Sequence, residues 1–285
     1  MQSFFCIAIR PFLWYSIGEE CPKEANGPVM KVILSPAKQM RRDNDAFLPL
    51  GQPVFLRQAL RLWEYLQSLP LDQLRRLLAC SPAIAEQSAR LYRQGDPRCA
   101  DTPALLAYNG IQYRYMAPQV FEQAHLDYVQ RHVWILSGLY GALHPFDGVV
   151  PYRLEMQAKL RTDFCRDLYG YWGDALCRAI LEEEGTLINL ASQEYSRAVL
   201  PYLPRGAVCI TCRFGEWTQG RVVEKGVYVK MARGDMVRFM AENAIERPED
   251  LRGYDRMGYT FRADLSDGHT YVFIRPPRRP ASDTF

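Results

Sequence analysis

Leu136-Ser-Gly-Leu-Tyr-Gly-Ala-Leu-His-Pro-Phe-Asp-Gly-Val-Val-Pro-Tyr-Arg-Leu-Glu-Met156 begins where a strand ends. The residues feeding it, Val133-Trp-Ile-Leu136, form a short continuous apolar run of the kind found in buried strands. Gly138, Gly141, Pro145, Asp147-Gly148 and Pro151 then keep the backbone irregular. The same stretch carries Tyr140, Asp147, Tyr152, Arg153 and Glu155. A loop this rich in aromatic and charged side chains, just past a buried strand, reads as a polar functional surface and a natural binding wall. Its composition also suits an ordered surface loop in which Arg153 and Glu155 satisfy each other.

Strands and helices alternate around this segment without a steady period. Lys31-Val-Ile-Leu34 is a short strand running into the polar loop Ser35-Pro-Ala-Lys38. Phe55, Ala59, Leu62, Trp63 and Leu66 recur at helical spacing, which predicts an amphipathic helix over 54–68. Pro70 opens a second helix and Ser81-Pro82 a third, ending near Gly95. These three make a helical insert over about 54–95, with seven arginines between Arg57 and Arg98. Helices are further expected over 120–130, 168–184 and 233–245. Strands are expected at 186–190, 207–213 and 222–229, with a hairpin from 257 to 274 turning at Asp267-Gly268. The fold class is α+β (mixed α/β), one compact fold over 30–275. Residues 276–285 read as a flexible tail. Phe4–Ile17 lacks a basic start and a cleavage site and is a poor signal peptide; with Gly18–Pro28 polar and irregular and a strand directly after Met30, residues 1–29 read as an extension, disordered or ahead of a true start at Met30.

The chain has 285 residues, 48% hydrophobic and 24% charged, with a net charge of +3. That balance leaves any polyanion footprint to a local cluster. No run reaches the ~18 apolar residues of a membrane span. The eight cysteines have no disulfide-framework spacing, which suits a reducing compartment. Cys209 and Cys212 sit three apart in a strand and point to opposite faces, and no second pair completes a zinc site. Nucleotide loops, H-E-x-x-H and G-x-S-x-G motifs are absent. No metal or cofactor is expected.

Three further elements carry candidate chemistry. In Thr186–Tyr195 a strand runs directly into a helix, where Asn189 and Ser192 add donors at a terminus that favours anions. Lys230, Arg233 and Arg238 gather at a strand-to-helix junction and suit phosphate contacts. Leu78–Arg90 loosely resembles a helix-hairpin-helix, with Ala83 and Ala85 where that motif has glycines.

Together, Ser35-Pro-Ala-Lys38, Leu136–Gly141, Pro151–Met156, Tyr171-Trp-Gly-Asp174, Asn189–Ser192 with Glu194-Tyr195, and Ala232-Arg-Gly234 with Arg238-Phe239 resemble the signatures of the YaaA peroxide-stress family, in that family's order. The resemblance implies a family-specific fold with a positively charged cleft and a helix-hairpin-helix-like element. It also implies a cytoplasmic protein with affinity for DNA that lowers free iron and limits oxidative DNA damage. The chain departs from the pattern at Tyr115, where the family has a glycine, and at His144 and Met231, where it more often has cations.

Two readings of the site follow. In the first, a nucleic-acid-binding stress protein, Lys38, Arg153, Lys230, Arg233 and Arg238 line a cleft with Ser35, Tyr152, Asn189 and Ser192, and the partner is DNA. In the second, an enzyme acts on a small phosphorylated or nucleotide-like molecule, with Tyr140, Asp147, Glu155 or Asp174 handling protons. A deep pocket favours the second and a long open groove the first. Iron held directly by Asp147, Glu155 and Asp174 is a further alternative, with oxygen ligands but no compact spacing. A monomer is expected.

Overall fold

The computed structural model describes residues 29–43, 47–181 and 183–277. The expectations for residues 1–28 and for the tail beyond Pro277 lie outside the described residues.

The strands are β1 (Lys31–Leu34), β2 (Thr102–Pro103), β3 (Val133–Ser137), β4 (Gly141–Leu143), β5 (Gly148–Val149), β6 (Thr186–Leu190), β7 (Val208–Thr218), β8 (Arg221–Val223), β9 (Thr260–Phe261) and β10 (Thr270–Arg275). The helices are α1 (Leu56–Ser68), α2 (Leu71–Leu78), α3 (Pro82–Gln94), α4 (Ala104–Ala107), α5 (Ile111–Met116), α6 (Gln123–His132), α7 (Leu168–Trp172), α8 (Ala175–Ile180), α9 (Gln193–Ser196) and α10 (Gly226–Glu242). The fold is mixed α/β, as the interleaved pattern predicts.

The main sheet runs β4-β3-β1-β6-β7-β10-β9, with β8 paired to β7. Its centre, β3 to β10, is parallel, and the edge pairings of β4, β8 and β9 are antiparallel. Val32, Ile33 and Leu34 are wholly buried, which is why β1 reads as an unbroken apolar run. From β1 the chain departs toward β3 on one side; from β6 it departs toward β7 on the other. Neighbouring parallel strands whose connections leave in opposite directions open a crevice beyond their carboxyl ends. That crevice falls at Ser35 and Ser192.

Four expectations are corrected. The stretch 136–156 is not a surface loop: Leu136 to Val150 is buried throughout except at His144. Several of its polar groups are satisfied inside the fold. Ser137 Oγ accepts the Leu139 and Tyr140 amides, and Tyr140 Oη accepts the Val150 amide. Exposure returns only at Pro151–Glu155, in alternation, with Tyr152 and Leu154 inward and Arg153 and Glu155 outward.

The helix expected over 168–184 breaks at Gly173 (φ +50°). The break lets Trp172 and Leu176 pack onto Gly141, where a Cβ would stand 2.8 Å from Leu176 Cδ2. Residues 226–229 are helical rather than extended. Val229, Ala232, Met236, Val237 and Met240 are buried at helical spacing along α10, and this packing overrides the β-propensity of Val227-Tyr-Val229. Finally, β7 runs on to Thr218 instead of ending at 213.

The predicted insert helices form as α1, α2 and α3. Ser81 caps α3 by accepting the Ile84 amide at 3.5 Å. Leu62, Trp63, Leu74 and Tyr92 join them to the central core.

Candidate functional site

A cavity of about 360 Å³ lies in the crevice beyond β1 and β6. The loop after β1 contributes Ser35 and Lys38, and the turn after β6 contributes Ser192, Glu194 and Tyr195. The extended segment brings Tyr152, Arg153 and Glu155. From α5 come Gln112, Tyr113 and Arg114, and from α10 Lys230 and Arg233. Five lysines and arginines therefore face two glutamates.

The two strand ends are tied directly. The Ser192 amide donates to Ser35 Oγ at 2.8 Å, and the Ser35 hydroxyl donates to Ser192 Oγ at 3.1 Å. Tyr113 Oη donates to the Ser35 carbonyl at 2.9 Å. The anion-attracting helix terminus expected at Ser192 is thus modest: α9 has a single turn, and its leading amide is already taken.

Arg153 is held from behind. Tyr92 Oη, from α3, donates to the Arg153 carbonyl at 2.6 Å. Tyr152 Oη bonds to Ser137 Oγ at 2.6 Å and to Tyr108 Oη at 2.9 Å. Burial pushes the Tyr152 phenol up to about 12, so Tyr152 is a wall that stays neutral. Glu155 Oε1 receives both Lys38 Nζ at 3.0 Å and an Arg153 Nη at 3.1 Å.

On α10, Lys230 and Arg233 sit three residues apart on one face. Gly234 brings this helix onto α5; a Cβ there would stand 1.9 Å from the Gln112 carbonyl oxygen. Burial draws the Arg233 guanidinium below its usual range. Three donors of the pocket residues, Gln112 Nε2, Arg153 Nε and Arg233 Nε, are buried and have no hydrogen-bond partner. Burial also raises the Glu194 carboxyl, whose Oε1 accepts the Gln157 amide at 3.3 Å.

The structure therefore brings together Ser35, Lys38, Tyr152, Arg153, Glu155, Ser192, Lys230 and Arg233. The other candidates lie outside this cavity. Tyr140 is wholly buried. Asp147 is 5% exposed and accepts the His144 amide at 2.8 Å. Asp174 is exposed and pairs with Arg178 at 3.3 Å. Asn189 is buried, accepting the Ala191 amide and donating to Thr211 Oγ1. Arg238 pairs with Glu242 at 2.7 Å, one turn along α10.

Gln112, Tyr113 and Arg114 escaped the sequence reading, because nothing in their spacing announces that α5 crosses α10. Among the described residues no group of three or more His, Cys, Asp and Glu side chains could hold a metal ion, and no helix is long and apolar enough to cross a membrane. Burial pushes the Cys209 and Cys212 thiols up to about 11 and about 12, so neither is a thiolate near neutral pH.

The family model described as peroxide stress protein YaaA matches residues 30–265. A UPF0246 protein of Desulfitobacterium hafniense is 54% identical over 246 residues, covering 86% of this chain and 98% of that protein. UPF0246 proteins of Agathobacter rectalis and Lactiplantibacillus plantarum are 47% and 44% identical, each over 86% of this chain and 99% of its relative. With a match across most of its length, and with the Ser35, Tyr152-Arg153, Ser192 and Arg233 segments meeting at one crevice, this chain belongs to the peroxide stress protein YaaA family.

Proposed function

We propose that this chain serves in the cytoplasmic response to hydrogen peroxide by holding a phosphate-bearing ligand in the crevice beyond β1 and β6, and so limits free iron and oxidative damage to DNA. The observation that carries the reading is the charge of the pocket, in which Lys38, Arg114, Arg153, Lys230 and Arg233 face only Glu155 and Glu194. Charge-assisted bonds from Arg to phosphate oxygens are among the strongest a protein makes. The positive balance is local, which fits a chain whose total charge is only +3.

DNA is the leading phosphate source. The cavity's size favours one nucleotide-scale group over a long duplex track, so DNA would be held by a strand end or an unpaired nucleotide. Catalysis on a small phosphorylated molecule is the second reading. Glu194 supports it, because a carboxyl that burial raises is suited to proton transfer.

Calorimetric titration of the full chain with inorganic phosphate, mononucleotides, single strands and duplex tests the proposal at several salt levels. Binding is expected to weaken at least tenfold in Arg153→Ala, and affinity for each phosphate ligand to fall as salt rises. Affinities unchanged by Arg153→Ala and indifferent to salt would rule the reading out. Peroxide survival of a deletion strain carrying Arg153→Ala tests the link to stress.

A further inference from the structure

A second cavity, of about 630 Å³, lies beside the first. Tyr115 from α5, Tyr228 and Met231 from α10, and Met257 line it, and Arg275-Pro276-Pro277 closes one end. The two cavities draw on adjacent residues of the same two helices. Arg114 and Lys230 line the first, and their chain neighbours Tyr115 and Met231 line the second. Successive helical residues point about 100° apart, so the crossing of α5 on α10 turns one face to each cavity.

The chemistry of the two differs. The second offers aromatic rings, thioethers and proline rings. Its one charged residue, Arg275, is committed elsewhere: it donates to Glu216 Oε1 at 2.7 Å, and its guanidinium lies 3.5 Å from the Tyr228 ring centroid. Tyr115 is 38% exposed and stacks on no other ring among the described residues. Met257 holds a left-handed backbone (φ +56°).

We infer that the second cavity is the base subsite of a nucleoside phosphate whose phosphate occupies the first. This rests on the phosphate reading above and specifies its ligand. A nucleobase has a flat π-face for Tyr115 and a polarizable surface for the methionines. Stacking without hydrogen-bond readout tolerates every base, and this wall presents no unpaired charged group to read a base edge. A sugar joins base to phosphate past the crossing of α5 on α10. The same chemistry comes from a free nucleotide or from an unpaired nucleotide in a strand.

The experiment is a set of calorimetric titrations of the full chain with ribose 5-phosphate, adenosine and cytidine monophosphates, a short thymidine oligonucleotide and the matching duplex. Mononucleotides are expected to bind about tenfold or more tighter than ribose 5-phosphate, with little difference between bases. Tyr115→Ala is expected to remove that gain and leave ribose 5-phosphate unaffected, while Tyr115→Phe retains it. Arg153→Ala is expected to weaken both. A Tyr115-dependent gain on mononucleotides identifies a free nucleotide; the same gain confined to the oligonucleotide identifies a strand. Equal affinity for ribose 5-phosphate, the mononucleotides and the oligonucleotide alike, or Tyr115→Ala weakening ribose 5-phosphate as much as the others, overturns the base subsite and leaves the phosphate reading standing. Failure of every phosphate ligand to bind overturns both.

Discussion

Ser35 and Ser192 join the ends of two adjacent parallel strands: the Ser192 amide donates to Ser35 Oγ at 2.8 Å, and the Ser35 hydroxyl returns a bond to Ser192 Oγ at 3.1 Å. The pair sits where the chain leaves β1 and β6 in opposite directions, so it sets the floor of the crevice. The two serines are not equivalent. Ser35→Ala removes the acceptor of a backbone N–H and is expected to cost about 1–2 kcal/mol, whereas Ser192→Ala loses only the hydroxyl pair and is expected to cost under ~1 kcal/mol. Urea unfolding of both variants checks the order. Equal losses would mean that the amide finds another partner.

Glu155 already occupies the place of an anion. One of its oxygens receives Lys38 and Arg153 together. A phosphate entering the pocket must compete with this carboxylate for the same two cations. Glu155→Gln is therefore expected to raise phosphate affinity about tenfold, equivalent to ~1.4 kcal/mol. The exposed Lys38 pair contributes little to stability, whereas the largely buried Arg153 pair is expected to make Glu155→Gln cost about 1–2 kcal/mol. Weaker binding by Glu155→Gln would show instead that Glu155 positions Arg153 for the ligand.

Gly234 tests the helix crossing that carries half of the site. In an isolated helix Gly→Ala is favourable by about 1 kcal/mol. Here the added Cβ meets the Gln112 carbonyl at 1.9 Å, and backbone on both sides must move. Gly234→Ala is expected to destabilise the protein by about 1–3 kcal/mol despite the better propensity. Displacing Gln112 and Arg233 should also weaken phosphate binding more than the stability loss alone explains. A stabilised variant would mean that the crossing is looser than this contact.

The pocket was legible in the sequence where its residues sit at strand ends. Apolar runs marked β1, β3 and β6, and the polar groups just beyond them, Ser35, Lys38 and Ser192, fall where a parallel sheet places a site. Arg153 and Glu155 were legible for a different reason, as charges in an aromatic-rich, irregular stretch after a buried strand; their alternation with inward Tyr152 and Leu154 is a finding of the structure. The burial of Leu136–Val150 was not legible. Composition cannot show that Ser137, Tyr140 and Asp147 accept local backbone amides, and polar groups satisfied in this way look in a sequence like solvent-facing ones. The start of α10 was missed because Val227-Tyr-Val229 favours a strand locally, while contacts with α5, distant in the chain, decide for helix. Met231 looked like a cation lost from the pocket, yet it faces the second cavity, and Lys230 and Arg233 keep the first one charged.

Asp147 gives a stability prediction separate from the site. Its carboxylate accepts the His144 amide inside a buried turn, and burial pushes its pKa up to about 6 from an ordinary 3.8. Between those values the folded protein holds the proton more tightly than the unfolded chain. This group's contribution to stability is therefore fully present below pH ~4 and lost as pH rises through about 6, a change on the order of 2–3 kcal/mol. Asp147→Asn keeps an acceptor for the His144 amide and carries no titrating charge. Its stability relative to wild type is expected to rise between pH 4 and pH 7.5 by that amount. The amide's extra donors in the buried turn add a cost that does not vary with pH, so the slope and not the offset is the test. His132 and His144, whose buried imidazoles are drawn below their usual range, are present in both proteins, so their contributions cancel in the difference. Urea unfolding of both proteins across this range measures it, and a difference that stays constant with pH would mean that Asp147 is solvated in the folded state.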